Sequence, residues 1–314
     1  MSPKVRILSK FRDTLSDLRE RVAHDLLVLS GVGTPLSFSA MVRARQTRWR
    51  RGKYRPLARL FTSKVEGAEL VRNLGFSIPE TLHWLPRAEK LRDVELPANY
   101  VLKPERGHSS RGVFIMRDGV NQFGGERLDV EALIARASEA TDGAYLVEEL
   151  LTNFDGNPGI PYDYKFFCFG AKVVAIQVID RNGAEVGEMK RSWSLGPDWR
   201  PLPFHLHRSG RSDCGPAPVP PFADEMVAMA SAIGAEIGVF MRIDLFATTR
   251  GPVFGEFEPF SHRNYTSQAN TWLGSFWKGL EGGPVRKTRV PALRPPHLGA
   301  QAKGFAVGRD QVTS

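Results

Sequence analysis

Cysteine is nearly absent: the 314 residues hold two, Cys168 in an apolar run and Cys214 in a proline-rich stretch. Neither a disulfide framework nor a four-cysteine zinc site can be built from them. Long apolar runs are lacking too, since no stretch approaches the roughly 18 to 20 consecutive apolar residues of a membrane span. Met1-Ser2-Pro3-Lys4 leads into charged sequence rather than a signal-peptide core, so a cytosolic protein is expected. No Gly-x-Ser-x-Gly elbow is present, no Gly-Lys-Ser/Thr opens a helix, and the G-x-G-x-x-G dinucleotide fingerprint is missing. His205, His207 and Cys214 lack a fourth ligand and metal-site spacing, which argues against zinc. There is no internal repeat. What remains is a chain of globular composition, 42% hydrophobic and 25% charged, whose fold must rest on its core.

The net charge of +9 is concentrated in two segments. Residues 41 to 60 carry Arg43, Arg45, Arg48, Arg50, Arg51, Lys53, Arg55 and Arg59 with no acid, and residues 281 to 314 carry six bases against Glu281 and Asp310. The body between them is close to neutral. Without an aromatic-studded basic sheet pattern or a helix-turn-helix signal, nucleic acid is not the expected partner. The basic run reads either as a patch facing phosphate-rich ligands or an anionic membrane surface, or as plain solvated surface.

From Val5 to Leu29 the apolar residues Leu8, Phe11, Leu15, Leu18, Val22, Leu26 and Leu29 recur every three or four positions, marking one side of a long helix. That helix could lie on a membrane surface, on the body of the protein or on a partner subunit. A second helix is expected over Ser63 to Leu74, stopped by Gly75. Strands follow at Tyr100 to Pro104, Val113 to Met116 and Ala144 to Leu151, with a helix at Val130 to Ala140 between the last two. Tyr164 to Phe169 and Lys172 to Ile179 form a hairpin around Gly170-Ala171. Residues 182 to 221 read as loop. The helix Phe222 to Ile237 precedes a closing hairpin, Val239 to Phe246 and Val253 to Phe257. The proline-rich tail from Gly282 is expected to be disordered.

Chemistry concentrates in that closing hairpin. Strand alternation puts Arg242 and Asp244 on one face of its first strand, and Glu256 and Glu258 on one face of its second. Burying three carboxylates costs several kcal/mol per ion unless a cation compensates, and hard oxygen ligands suit Mg²⁺ or Mn²⁺. The bland alternative is a solvated edge with a surface ion pair. Lys103 ends an apolar strand and leads into Gly107-His108-Ser109-Ser110-Arg111-Gly112, a loop of small residues whose amides could cover phosphates. It could equally be an ordinary hairpin loop. In Asp163-Tyr164-Lys165, the lysine points away from the face of Tyr164 and Phe166. A lone lysine so placed is usually surface, but with Lys103 and Arg181 it supplies the positive charge that a triphosphate needs. Glu148-Glu149 ends an apolar strand where a carboxylate could hold a ribose.

The order of these elements resembles the ATP-grasp superfamily, and most of all its teichuronopeptide-biosynthesis, TupA-like branch. The similarity rests on Tyr100-Val101-Leu102-Lys103, Asp163-Tyr164-Lys165-Phe166-Phe167, Trp193 to Trp199 followed by Leu202-Pro203-Phe204, Arg242-Ile243-Asp244-Leu245, and Phe254-Gly255-Glu256. It spans about residues 60 to 280, leaving 1–59 as a helical, basic N-terminal region and 281–314 as the tail. The resemblance implies an α+β fold in which two subdomains clasp ATP. It further implies a carboxylate-amine ligase that works through an acyl phosphate, with substrates that include glycan-linked ones in surface polymer biosynthesis. On that basis Lys103 and Lys165 contact phosphates, Gly107, Ser109, Ser110 and Gly112 belong to the covering loop, and Glu148 and Glu149 lie near adenine and ribose. Asp244, Glu256 and Glu258 bind Mg²⁺ or Mn²⁺, and Arg181 or Arg242 steadies the acyl phosphate. Many members have Asn where Glu258 stands, which leaves Asn264 as an alternative ligand. Two other functions would use the same ATP site: a catalytically silent relative that binds nucleotide or an anionic glycan, and a sugar phosphotransferase.

Overall fold

The computed structural model describes residues 37–52, 55–107, 110–182, 191–208, 215–261 and 264–277. The expected helix over 5–29, the tail from 282, Ser109 and Cys214 lie outside these residues. Three helices open the described chain: α1 (Phe38–Arg51), α2 (Arg55–Thr62) and α3 (Lys64–Asn73). Ser37 caps α1 by accepting from the Ala40 N–H, and Ser63 caps α3 by accepting from the Glu66 N–H. β1 (Thr81–Leu85), β2 (Asn99–Pro104), β3 (Phe114–Arg117), β4 (Val120–Asn121), β5 (Glu126–Arg127) and β6 (Tyr145–Glu149) form one antiparallel sheet in the order β1-β6-β2-β3-β4-β5. Its core side carries Tyr100, Leu102, Phe114, Met116, Tyr145 and Val147, packed on Leu133, Ile134 and Ala137 of α4 (Val130–Ala140).

The second sheet has the order β11-β10-β7-β8-β9, all antiparallel, from β7 (Asp163–Phe169), β8 (Lys172–Asp180), β9 (Arg191–Leu195), β10 (Phe240–Thr248) and β11 (Gly251–Glu258). α5 (Ala223–Ile237) covers its Tyr164, Phe166 and Cys168 side, where the Cys168 thiol donates to the Ala230 carbonyl. The opposite face is divided. Toward one end, Phe169 and Phe240 pack under Phe38 of α1 and under Trp277, which follows α6 (Ser267–Ser275), with Phe167 against Phe240. Toward the other end, the same face carries Lys165, Asp244 and Glu256, consecutive across the ladder. A single sheet face thus passes from aromatic core to charged site.

Helices and two antiparallel sheets make this an α+β fold, as expected. α1 qualifies the expectation for the basic run. Its stripe Phe38, Val42, Arg45 and Trp49 is buried in the core of the larger sheet, so Arg45 is an interior residue, whereas Arg48, Arg50 and Arg51 are exposed. Among the described residues, no helix is long and apolar enough to cross a membrane.

Candidate functional site

The two sheets meet along the chain that leaves β6. There the Phe154 N–H donates to Ala247 O, Asn153 bridges to Thr248, and the Phe254 N–H donates to Ser77 O. Arg250, in the β10–β11 turn, grips both oxygens of Glu149. Burial raises the Glu149 pKa, but Arg250 and the Glu80 N–H outweigh it and hold the carboxyl below its ordinary range.

Glu148, on the other face of β6, is paired with Lys103 at 2.6 Å, and both side chains are largely buried. Their register explains the contact: Glu148 lies opposite Val101, and Lys103 follows on the same face two residues on. The adjoining loop is anchored at its start. The Lys64 N–H donates to Glu105 O at 3.1 Å, and the Ser63 hydroxyl, already the α3 cap, donates to the Glu105 carboxylate. At its end Gly112 has a φ of +71°, and a Cβ there would stand 2.8 Å from Ala140 Cβ and 2.9 Å from the Tyr145 hydroxyl. That glycine is therefore required by packing on α4 and β6, quite apart from any ligand. Ser110 takes a left-handed φ of +56°, and Gly107 lies against Pro104.

The larger sheet holds a chain of alternating charge. Asp163 accepts from Arg181 at 3.3 Å and pairs with Lys165 at 2.6 Å. Lys165 donates to Asp244 at 2.5 Å, and Arg242 forks onto both Asp244 oxygens at 2.7 Å. Lys165 is buried, so its surface alternative does not hold. Desolvation would raise the Asp244 pKa, yet Arg242 and Lys165 outweigh it and keep the carboxylate ionised. Arg242 also donates to the Ser261 hydroxyl at 3.2 Å, and that hydroxyl is 2.7 Å from the Tyr265 hydroxyl.

The edge strand adds the glutamates. Asp244 lies opposite Glu256 and Arg242 opposite Glu258, so all four share one face, as alternation predicts. What alternation misses is the bulge between Asp244 and Leu245, whose extra residue is Gly255. In a regular strand Phe254 and Glu256 would share a face. With Gly255 inserted, Phe254 joins Phe257 on the apolar side, 4.6 Å apart between rings, and Glu256 turns to the other. Glu258 folds back to accept the Phe260 N–H at 2.8 Å.

Lys64 joins the two halves of the site. Its ammonium donates to Gly107 O at 3.3 Å and lies 3.6 Å from Glu256, and only about a tenth of its side chain is exposed. In the sequence it is one more position of the helix expected over Ser63 to Leu74, and nothing local distinguishes it, because its partners are a loop carbonyl and a β11 carboxylate far along the chain. Asp163 was visible in its motif but carried no role, although it holds both Lys165 and Arg181.

The carboxylates suit a hard divalent cation in kind. Among the described residues, however, no three His, Cys, Asp or Glu side chains stand close enough to form a metal group. The glutamates are half-exposed while Asp244 is committed to two cations. The three expected ligands thus share a sheet face without being gathered into a metal group, and Glu256 and Glu258 are the two whose carboxylates are open enough to offer an ion.

The model of the TupA-like ATP-grasp family matches residues 76–278, about two thirds of the chain. The chain belongs to the TupA-like ATP-grasp family. No curated protein matches it. Solved structures with a similar fold include the ATP-grasp ligase PsnB complexed with its minimal precursor, at 17% identity over 88% of this chain and 74% of that one, with a TM-score of 0.42. D-alanine-D-alanine ligase from Helicobacter pylori follows at 14% identity, covering 70% and 58%, with a TM-score of 0.41. The ADP complex of purK, N5-carboxyaminoimidazole ribonucleotide synthetase, shows 13% identity, 73% and 52% coverage and a TM-score of 0.44. The family match begins after α1, α2 and α3, so Lys64 and Arg45 both lie outside it.

His207 borders the site of this TupA-like chain, its ring stacked on Tyr265 with centroids 4.5 Å apart. Burial, then the charges of Arg242 and Lys165, push its pKa from 6.5 down to about 3. The folded chain therefore refuses a proton that the unfolded chain accepts below pH 6.5. Stability present above that pH is lost as pH falls toward 3, at about 1.4 kcal/mol per pH unit. Urea unfolding between pH 7.5 and 4.5 should show a shallower decline for His207→Gln than for the wild type; parallel curves would contradict this assignment.

Proposed function

We propose that the chain is an ATP- and Mg²⁺-dependent carboxylate-amine ligase. The observation that carries this reading is Lys64, standing between the Gly107 carbonyl of the small-residue loop and the Glu256 carboxylate of the other sheet. That cation, with Lys103 and Lys165, marks a path for a phosphate chain between the sheets. A bound divalent ion would neutralise phosphate charge beside Glu256 and Glu258, with Asp244 behind.

The chemistry asks the protein for position and charge rather than for a covalent nucleophile. A substrate carboxylate oxygen attacks the γ-phosphorus and ADP leaves. An amine then attacks the acyl carbon, phosphate departs, and the amine loses its proton. Arg242 uses three of its five N–H donors on Asp244 and Ser261. The other two can steady the acyl phosphate in an orientation that Asp244 fixes. Arg181, anchored on Asp163, is the second cation for that role. Loop residues Gly107, Ser109, Ser110 and Gly112 cover the phosphates, and Glu148 and Glu149 border the nucleoside. Glycan-linked substrates in surface polymer assembly rest on the resemblance to the teichuronopeptide branch. The division into 1–59, 60–280 and 281–314, cytosolic location and contact of the basic face with a membrane complete the proposal.

Thermal unfolding with Mg²⁺ and ATP, against ATP with EDTA, tests the reading, because a ligand of the folded state raises the midpoint by mass action. Lys103 cannot simply be removed, since Glu148 would be left buried and unpaired. The double variant Lys103→Met/Glu148→Gln avoids that cost. The wild type should gain several degrees only when metal is present, and the double variant should lose most of the gain. No rise at millimolar ATP would leave the silent, glycan-binding alternative. ADP release that requires both a carboxylate and an amine separates ligase from sugar kinase.

A further inference from the structure

Arg45 is the largest fully buried side chain among the described residues, and it sits on α1. One guanidinium nitrogen donates to Phe240 O at 2.6 Å and the other donates to Pro259 O. Its charge lies 4.9, 5.1 and 5.0 Å from the ring centres of Trp49, Phe240 and Trp277. Its Nε is buried without a hydrogen-bond partner. A side chain selected for packing alone would be apolar there, since a buried charge with an unmet donor costs stability that a hydrophobic residue avoids.

The two carbonyls explain the choice. The β10–β11 ladder ends at the Arg242–Glu258 pair, and the next residue, Pro259, has no N–H to extend it. Phe240 O and Pro259 O are the acceptors at this open end, and the guanidinium fork closes it. Pro259 directly follows Glu258 and begins the turn in which the Phe260 N–H donates to the Glu258 carboxylate and Ser261 accepts from Arg242.

We propose that Arg45 is a positioning residue for the Glu258 carboxylate, the candidate metal ligand of the ligase reading, and for Arg242, acting through the Pro259 turn. This makes α1, which precedes the family match, part of the working unit. The inference rests on the ligase reading for its metal but not for its hold on the turn. Lysine keeps the charge but lacks the planar fork that spans the two carbonyls, which makes Arg45→Lys the discriminating change.

In the full-length protein, Arg45→Lys should fold with an unchanged circular dichroism spectrum and exchange the Phe260 amide at least tenfold faster. Mn²⁺, read by its electron paramagnetic resonance with a non-hydrolysable ATP analogue, should bind the variant complex at least tenfold more weakly. Metal-free nucleotide affinity should stay within twofold. Wild-type Mn²⁺ affinity in folded Arg45→Lys protein overturns the proposal. If that variant does not fold, Trp277→Leu, which removes one ring and keeps the guanidinium, is read in the same assays, and wild-type values there overturn it. Should the wild type take up no Mn²⁺ with nucleotide, the ligase reading fails instead. The Phe260 exchange rate then decides alone whether Arg45 holds the turn.

Discussion

Asp244→Asn should reduce Mg²⁺-dependent ATP turnover by at least about a thousandfold, comparable to losing an electrostatic group that acts at the transition state. The carboxylate does two things at once. It neutralises Lys165 and Arg242, and by taking Nε and one terminal nitrogen of Arg242 it sets the plane of that guanidinium. Asparagine keeps the shape and one acceptor, so the hairpin should still form. It leaves two largely buried cations sharing a neutral amide, with Lys165 falling back on Asp163 and Arg242 on Ser261. Breaking a buried pair typically costs about 3 to 5 kcal/mol; with those fallbacks the loss should be about 2 to 3 kcal/mol. ADP release and urea unfolding on the same preparation check both parts. A variant with wild-type turnover would remove Asp244 and the Arg242 clamp from the mechanism. A variant that is inactive but fully stable would show that Lys165 and Arg242 do not depend on it for stability.

The sequence was legible wherever a local pattern and the tertiary environment agreed. α4 runs from Val130 to Ala140, the bounds expected from the sequence, with Asp129 as its cap, and the turn at Gly170-Ala171 joins β7 to β8. Lys165 faces away from Tyr164 and Phe166 because strands alternate. β9 falls in the stretch expected to be loop and is covered on both faces: Trp193 and Leu195 are buried on one, and on the other Ser192 and Ser194 are buried, Ser192 accepting from Gln177 and Ser194 from the Leu206 N–H, so its polar residues carry no surface signal. α1 was hidden by its own charge. Four of its residues form a helical stripe, but Arg45 occupies one of them, and an arginine reads as surface until its two carbonyl partners are known. β1 (Thr81–Leu85) and α6 (Ser267–Ser275) are short, and β1 buries only Leu85 fully while its Trp84 stays exposed. The site followed the same rule: charged residues that stand in short strand motifs, Lys103, Glu148, Lys165 and Asp244, are legible, whereas Lys64, a helix residue whose partners are a loop carbonyl and a β11 carboxylate, is not.

Gly255→Val should disable the site without touching any charged residue. A Cβ at this position would stand 2.9 Å from the Phe246 ring and 3.1 Å from Asp244 O, and the second of these is backbone and cannot step aside. The strand can relieve the clash by moving locally, at the roughly 1 to 3 kcal/mol typical of overpacking, or by expelling the bulge. Expulsion restores regular alternation, which puts Phe254 and Glu256 on one face. Phe254 is buried beside Phe257 and Phe257 lies against Phe61, so the apolar contact resists being turned out and the glutamates would be the side chains to move. The expected result is a fall in Tm of roughly 3 to 10 °C together with loss of Mn²⁺ uptake by the nucleotide complex. Retention of metal affinity after the fall in Tm would mean that the local shift suffices and that the acidic face does not depend on the bulge. Loss of both would make one glycine the reason that Asp244, Glu256 and Glu258 face the same side.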